Sequence, residues 1–169
     1  TLGYLGASMA GAWLQMLPVV AGAPVPGART IAGMTLFGLV LSVPLLAGGL
    51  LLGEPGLMAG GGAALAVAWL PFVAGTLMAL VGAKSLPRVV WPMRKAWLAM
   101  SITLSLGWML VTALAGWAPS VDVMLVTDLH AMWGLGGWVL ILAMGVAYQV
   151  VPMLQITPAY PDAASKWLT

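Results

Sequence analysis

The sequence has no cysteine, only four acidic and six basic residues, and a single histidine in 169 positions. Without cysteine there is no disulfide, no thiolate metal site and no thiol nucleophile. Charged residues make up 6% of the chain, against about 25% in a soluble domain, so a water-soluble fold of this size would have no polar surface to show. No Asp or Glu falls inside a long apolar run, which leaves a mid-membrane carboxylate relay without support. There is no Ser-His-Asp set, no phosphate loop and no metal-spaced His/Cys cluster. Nor do apolar and polar residues alternate over roughly ten-residue segments, as a membrane β-barrel requires. The net charge of +2 is too small to indicate a nucleic-acid partner and bears instead on membrane topology.

What is present is apolar length. Hydrophobic residues account for 62% of the chain, in runs that reach the roughly 20 residues a helix needs to cross a bilayer. The expected fold is all-α and integral to the membrane. Residues 1–169 form a single transmembrane helical domain with spans at about 2–21, 30–52, 57–83, 96–117 and 129–153. The breaks carry turn chemistry: "GAPVPGAR", "GEPG", "SLPRVVWPMRK" and "APSVDVMLVTD". With these spans all the basic residues (Arg29, Lys84, Arg88, Arg94, Lys95 and Lys166) fall on one side. Glu54, Asp122 and Asp128 fall on the other, and Asp162 is the exception. The positive-inside rule then puts the first and third loops and the C-terminus in the cytoplasm, and the start of helix one outside. Trp91, Trp97, Trp117 and Trp167 suit an interfacial belt. The chain begins at Thr1 without a signal-peptide pattern, so a processed chain or a fragment of a longer one is expected.

Helices one and five share the pattern Gly-x-x-x-Gln-x-x-Pro, in "GAWLQMLPVV" and "GVAYQVVPML", at an offset of 134 that also pairs Gly3 with Gly137. Both helices run the same way across the membrane, so the repeat is parallel with a period of four helices. The same offset carries His130 to a position just upstream of Thr1, where a matching histidine is expected. At helical spacing His130 shares a stripe with Gly134, Gly137, Ile141, Gly145, Tyr148 and Pro152. Small residues on one face serve either close helix packing or the wall of a flat cofactor. His130 stands in what reads as the first turn of helix five, after Thr127 and Asp128, either of which can cap it. There the helix dipole disfavours a charged ring, and a neutral imidazole is the form that binds metal. Gln15 and Gln149 read as hydrogen-bonding residues within their spans. The twelve methionines read as core filling, with Met132 and Met144 weak candidates for copper.

The segment "LHAMWGLGGWVLILAMGVAYQVVPM" resembles the haem-ligating helices of the haem-copper oxidase subunit I superfamily. "TLGYLGASMAGAWLQMLPVVAG" and "GVAYQVVPMLQITPAYP" are similar to divergent, oxidase-like bacterial membrane proteins that carry haem and copper and are linked to nitric oxide metabolism. The resemblance covers helices one and five, about a third of the chain. It implies a larger bundle built of parallel four-helix arcs in the bacterial inner membrane, and a haem bound through His130 with Gly134, Gly137, Gly145 and Tyr148 around it. It also implies electron transfer or nitric oxide or oxygen chemistry, with further helices or subunits and a cytochrome or other redox partner. Copper is a further candidate, but this segment lacks the family's other histidines, and residue 132 is Met where a His-x-His spacing would place a second one. This segment alone therefore holds no complete copper-haem site. Two readings from other classes compete: a small-molecule or ion permease, and a structural or assembly subunit of a membrane redox complex.

Overall fold

The computed structural model describes residues 2–83, 87–118, 120–158 and 160. Lys84, Asp162, Lys166 and Trp167 lie outside the described residues, as do the side chains of Arg88 and Gln149. The elements are α1 (Leu2–Val20), α2 (Ala28–Leu52), α3 (Pro55–Val81), α4 (Pro87–Leu114), α5 (Val123–Ala131) and α6 (Ile141–Gln155). A π-helical segment, Met132–Leu140, joins α5 to α6, so that Val123–Gln155 forms one rod. Among the described residues there is no strand. Among the described residues four helices are long and apolar enough to cross a membrane: Ala28–Leu52, Pro55–Val81, Val90–Leu114 and the rod. The protein is an all-α chain suited to a lipid bilayer.

Local chemistry explains the boundaries. Gly53 ends α2 in the left-handed conformation at φ 66°, the amide of Glu54 bonds back to the Gly49 carbonyl at 2.9 Å, and Pro55 opens α3. Glycine at the stop and proline at the start are each suited to their place, since the first needs positive φ and the second has no N–H to leave unpaired. Two boundaries differ from the sequence expectation. Helix four begins at Pro87, not near Ala96, so Arg94 lies inside it and donates to the Leu80 carbonyl at 3.1 Å, tying α4 to the end of α3. Helix five begins at Val123, not near Leu129. Its cap is Asp122, whose carboxylate accepts from the Leu125 amide at 3.1 Å. Thr127 is already inside the helix, its hydroxyl donating to the Val123 carbonyl at 2.7 Å. Asp122, Thr127 and Asp128 are all residue types that cap, and the apolar "VMLV" between them is as content in a helix as in a loop.

Consecutive helices pack side by side and antiparallel. The α2–α3 pair is the closest, because glycine removes the side chain at each crossing. A Cβ on Gly38 would collide with the Cβ of Ala68, one on Gly49 would lie 2.7 Å from the backbone of Met58, and one on Gly61 would lie 2.9 Å from Leu46. Without a water-driven hydrophobic force inside a bilayer, such close van der Waals fit is what holds helices together. Trp97, which reads as interfacial from sequence, instead donates its indole N–H to the Val73 carbonyl at 3.2 Å, binding α4 to α3. The core, filled by Trp13, Leu17, Phe72, Leu80 and Met93, occupies the half of the bundle where α1 and α3 end and α4 begins.

Gly38→Ala is expected to destabilise the α2–α3 pair by about 1–3 kcal/mol, the usual range for overpacking. Thermal unfolding in detergent checks this, with Gly33→Ala, where an added Cβ meets nothing within 4 Å, expected to melt as the wild type does.

Candidate functional site

The other half of the bundle is hollow. A cavity of about 730 Å3 lies among the start of α1, the end of α2, the start of α3, the end of α4 and the first part of the rod. Its volume falls in the range of about 300–1,000 Å3 typical of small-molecule sites. Leu5, Leu46, Gly62, Val111 and Leu135 are representative of its walls, and among the described residues no Asp, Glu, Lys or Arg lines it. Trp69 and Trp138 belong both to this lining and to the packed core, so they form the floor where the hollow half meets the solid one. Leu50, Leu70 and Leu135 at its rim are exposed on the outside of the bundle.

Among the described residues, His130 is the one ionisable side chain on the wall. It is eight residues beyond the Asp122 cap, or ~12 Å at the helical rise of 1.5 Å per residue. Its ring lies against Thr103, near the middle of the Val90–Leu114 span, and so at mid-depth of α4 instead of at a helix end. His130 Nδ1 is 3.0 Å from the Thr103 carbonyl oxygen. A carbonyl only accepts, so Nδ1 carries the proton and donates. In the neutral ring Nε2 then holds the lone pair, and among the described residues it makes no hydrogen bond. Gly107 makes the approach feasible: a Cβ there would stand 3.1 Å from His130 Cε1.

The remaining residues singled out from sequence divide into two groups. Gly134 lines the cavity beside His130, with Thr103 Cγ2 3.3 Å from where its Cβ would be. Gly137 and Gly145 face α4 instead: added Cβ atoms would come within 2.9 Å of Ala99 Cβ and 2.7 Å of Pro92 Cβ. Their side of the rod is thus closed by a helix, because glycine lets α4 lie directly on the backbone. Tyr148 is away from the cavity lining, its ring stacked at a tilt on Tyr160 with centroids 4.7 Å apart. Met132 and Met144 are exposed and do not line the cavity, and Gln15 is exposed on α1. Of the matching stripe of α1, Gly3 meets Val43 of α2, a Cβ on Gly11 would meet nothing within 4 Å, and neither lines the cavity.

The sequence pattern pointed to Trp91, Trp97, Trp117 and Trp167 as interfacial, but gave no role to Trp13, Trp69 or Trp138. Trp13, Phe72, Trp69 and Trp138 meet edge to face in succession, with centroids 6.3, 5.2 and 5.5 Å apart. The indole N–H groups of Trp13, Trp69 and Trp138 are buried without a partner, and leaving such a donor unpaired costs about 1–3 kcal/mol. The only signal in the sequence was the placing of Trp69 and Trp138 inside apolar spans, away from the interfaces where tryptophan is usual. Among the described residues, no group of three or more His, Cys, Asp or Glu is placed to hold a metal ion. Compared with known protein families, with curated proteins and with solved structures, the chain matches none.

Gly107→Ala is expected to push the imidazole off the Thr103 carbonyl. The chain has one histidine, so a protein purified without a histidine tag gives one imidazole in nitrogen NMR. The wild type should show the Nδ1-protonated tautomer, and the variant a mixture or the Nε2-protonated form.

Proposed function

We propose that this is a membrane-embedded haem-binding protein whose cavity receives the porphyrin and whose His130 Nε2 binds the iron. The observation that carries the reading is the bond from His130 Nδ1 to the Thr103 carbonyl, beside a cavity of about 730 Å3. Metal-binding histidines commonly donate their second N–H to a carbonyl or carboxylate, which settles the tautomer, orients the ring and makes the ligating nitrogen more basic. The residues present fit the group: one unengaged imidazole nitrogen, apolar walls for a macrocycle, and no charged lining side chain to compete.

The haem would supply one-electron or small-gas chemistry. The chain's own part is to hold and insulate it. Thr103 orients the ligand through its backbone, Gly107 makes room for the ring, and the leucine and tryptophan walls keep water out, which sharpens electrostatic effects at the site. In keeping with the family resemblance, the activity is electron transfer or nitric oxide or oxygen chemistry, within a larger assembly of helices or subunits that supplies the remaining ligands and meets a redox partner. Any copper would take its ligands from that remainder. The protein sits in the cytoplasmic membrane of a bacterium, with the basic loops and the C-terminus inside, as the charge distribution favours.

The purified full-length protein should show a Soret band, on isolation or after haem supplementation, and His130→Ala should abolish or strongly shift it. No band in either preparation overturns the reading, and a band unchanged in His130→Ala removes this residue from the role.

A further inference from the structure

The two ends of the bundle differ in charge. Because consecutive helices are antiparallel, the start of α2, the end of α3 and the start of α4 lie at one end, where Arg29, Arg94 and Lys95 are exposed. Glu54, Asp122 and Asp128 belong to the other end, and Asp162 lies outside the described residues. Arg94 is seven residues beyond the start of α4 at Pro87, or ~10 Å along the helix. It therefore falls within Val90–Leu114, a stretch apolar enough to cross a membrane. Its guanidinium stands 5.8 Å from the centre of the Trp91 ring, which is 46% exposed, and donates to the Leu80 carbonyl at 3.1 Å. That bond fixes the group at the seam between α3 and α4. The carbonyl is neutral and occupies only part of the guanidinium's donor fork, so the charge stays uncompensated. Among the described residues Arg94 makes no ion pair.

A cation within a membrane span is costly unless it is paired or reaches the headgroup level. The surface around this one is apolar: Leu98, one turn further along α4, and Met78 and Val81, at the end of α3, are exposed, while Pro92, Met93 and Ala96 turn inward and are buried. The anion that completes Arg94 thus sits beside hydrocarbon. A lipid phosphate meets that condition, since its charge and its chains arrive together. A lipid with net negative charge is favoured over a zwitterionic one, which brings a competing cation of its own. We propose that the α3–α4 seam binds the headgroup of an anionic phospholipid. Arg94 pairs with the phosphate as a planar fork suited to it, Trp91 lies at the headgroup level, and an acyl chain runs along α4 over Leu98. The inference does not depend on what occupies the cavity.

The test is native mass spectrometry of the full-length protein in detergent, titrated with phosphatidylglycerol or with phosphatidylcholine. Phosphatidylglycerol is expected to bind about fivefold more tightly, the effect of one basic residue near a membrane surface. Arg94→Gln should abolish the preference. Arg29→Gln, which removes a cation from the same end but on α2, should keep it. Equal binding of the two lipids by the wild type overturns the inference. So does an equal loss in both variants, because the charge of the whole end is then responsible and not the seam. Millimolar inorganic phosphate should leave the bound lipid in place; displacement by it reveals a simple anion site and also overturns the inference. Should Arg94→Gln fail to fold, phosphatidylglycerol with a photoreactive group beside its phosphate is crosslinked to the wild type. Labelling is expected within residues 90–98, and labelling confined to other segments overturns the inference.

Discussion

The bond from His130 Nδ1 to the Thr103 carbonyl joins two antiparallel helices at mid-depth of α4. A main-chain carbonyl inside a helix already accepts from the amide four residues on, and its second lone pair is normally idle. Here that lone pair reads the imidazole, and Gly107, the residue whose amide the same carbonyl serves, is the one with no side chain in the way. The helix α4 is therefore both the support of the ring and the track on which the rod lies. Pro92, Ala99, Thr103 and Gly107 on α4 face Gly145, Gly137, Gly134 and His130 on the rod in reverse order. The π segment carries the two glycines in the middle of that series. Wide helical turns are rare and recur at functional sites, and this one lies directly after the histidine.

The bundle is divided along its axis. One half is filled by large side chains, Trp13, Leu17, Phe72, Leu80 and Met93, in the manner of an ordinary protein core. The other half surrounds a half-open space lined by the same helices. Stability and binding are thereby separated along the length of the helices. The solid half and the glycine-zipped α2–α3 pair hold the fold, and the hollow half is free to accept a guest. Trp69 and Trp138 belong to both. Trp69 packs edge to face against Phe72 and against Trp138, and among the described residues the buried N–H of each tryptophan has no partner.

Much of the fold was legible in the sequence because a bilayer constrains it so tightly. Long apolar runs separated by Gly-Pro turns admit helices and little else, and the hairpin at Gly53–Pro55 is written in its residues. The helix starts were less legible. Asp122, Thr127 and Asp128 all have side chains that cap, and the choice among them depended on how far the rod continues along α4. His130 stood out as the lone ionisable ring in an apolar run. Its surroundings did not, because a helical stripe of glycines reads the same whether a flat guest or another helix lies on it. Gly134 borders the cavity, whereas Gly137 and Gly145 are covered by α4.

The sequence by itself determined the class of the molecule, its helices and its single imidazole, because the cost of exposing backbone or charge to lipid is settled residue by residue along the chain. Only the tertiary structure decided which ring nitrogen carries the proton, which glycines are filled by a neighbour, and which tryptophans keep an unpaired N–H. Each of these depends on an atom from a different helix lying within about 3 Å, the reach of a hydrogen bond, and spacing within one helix holds no record of what lies across from it.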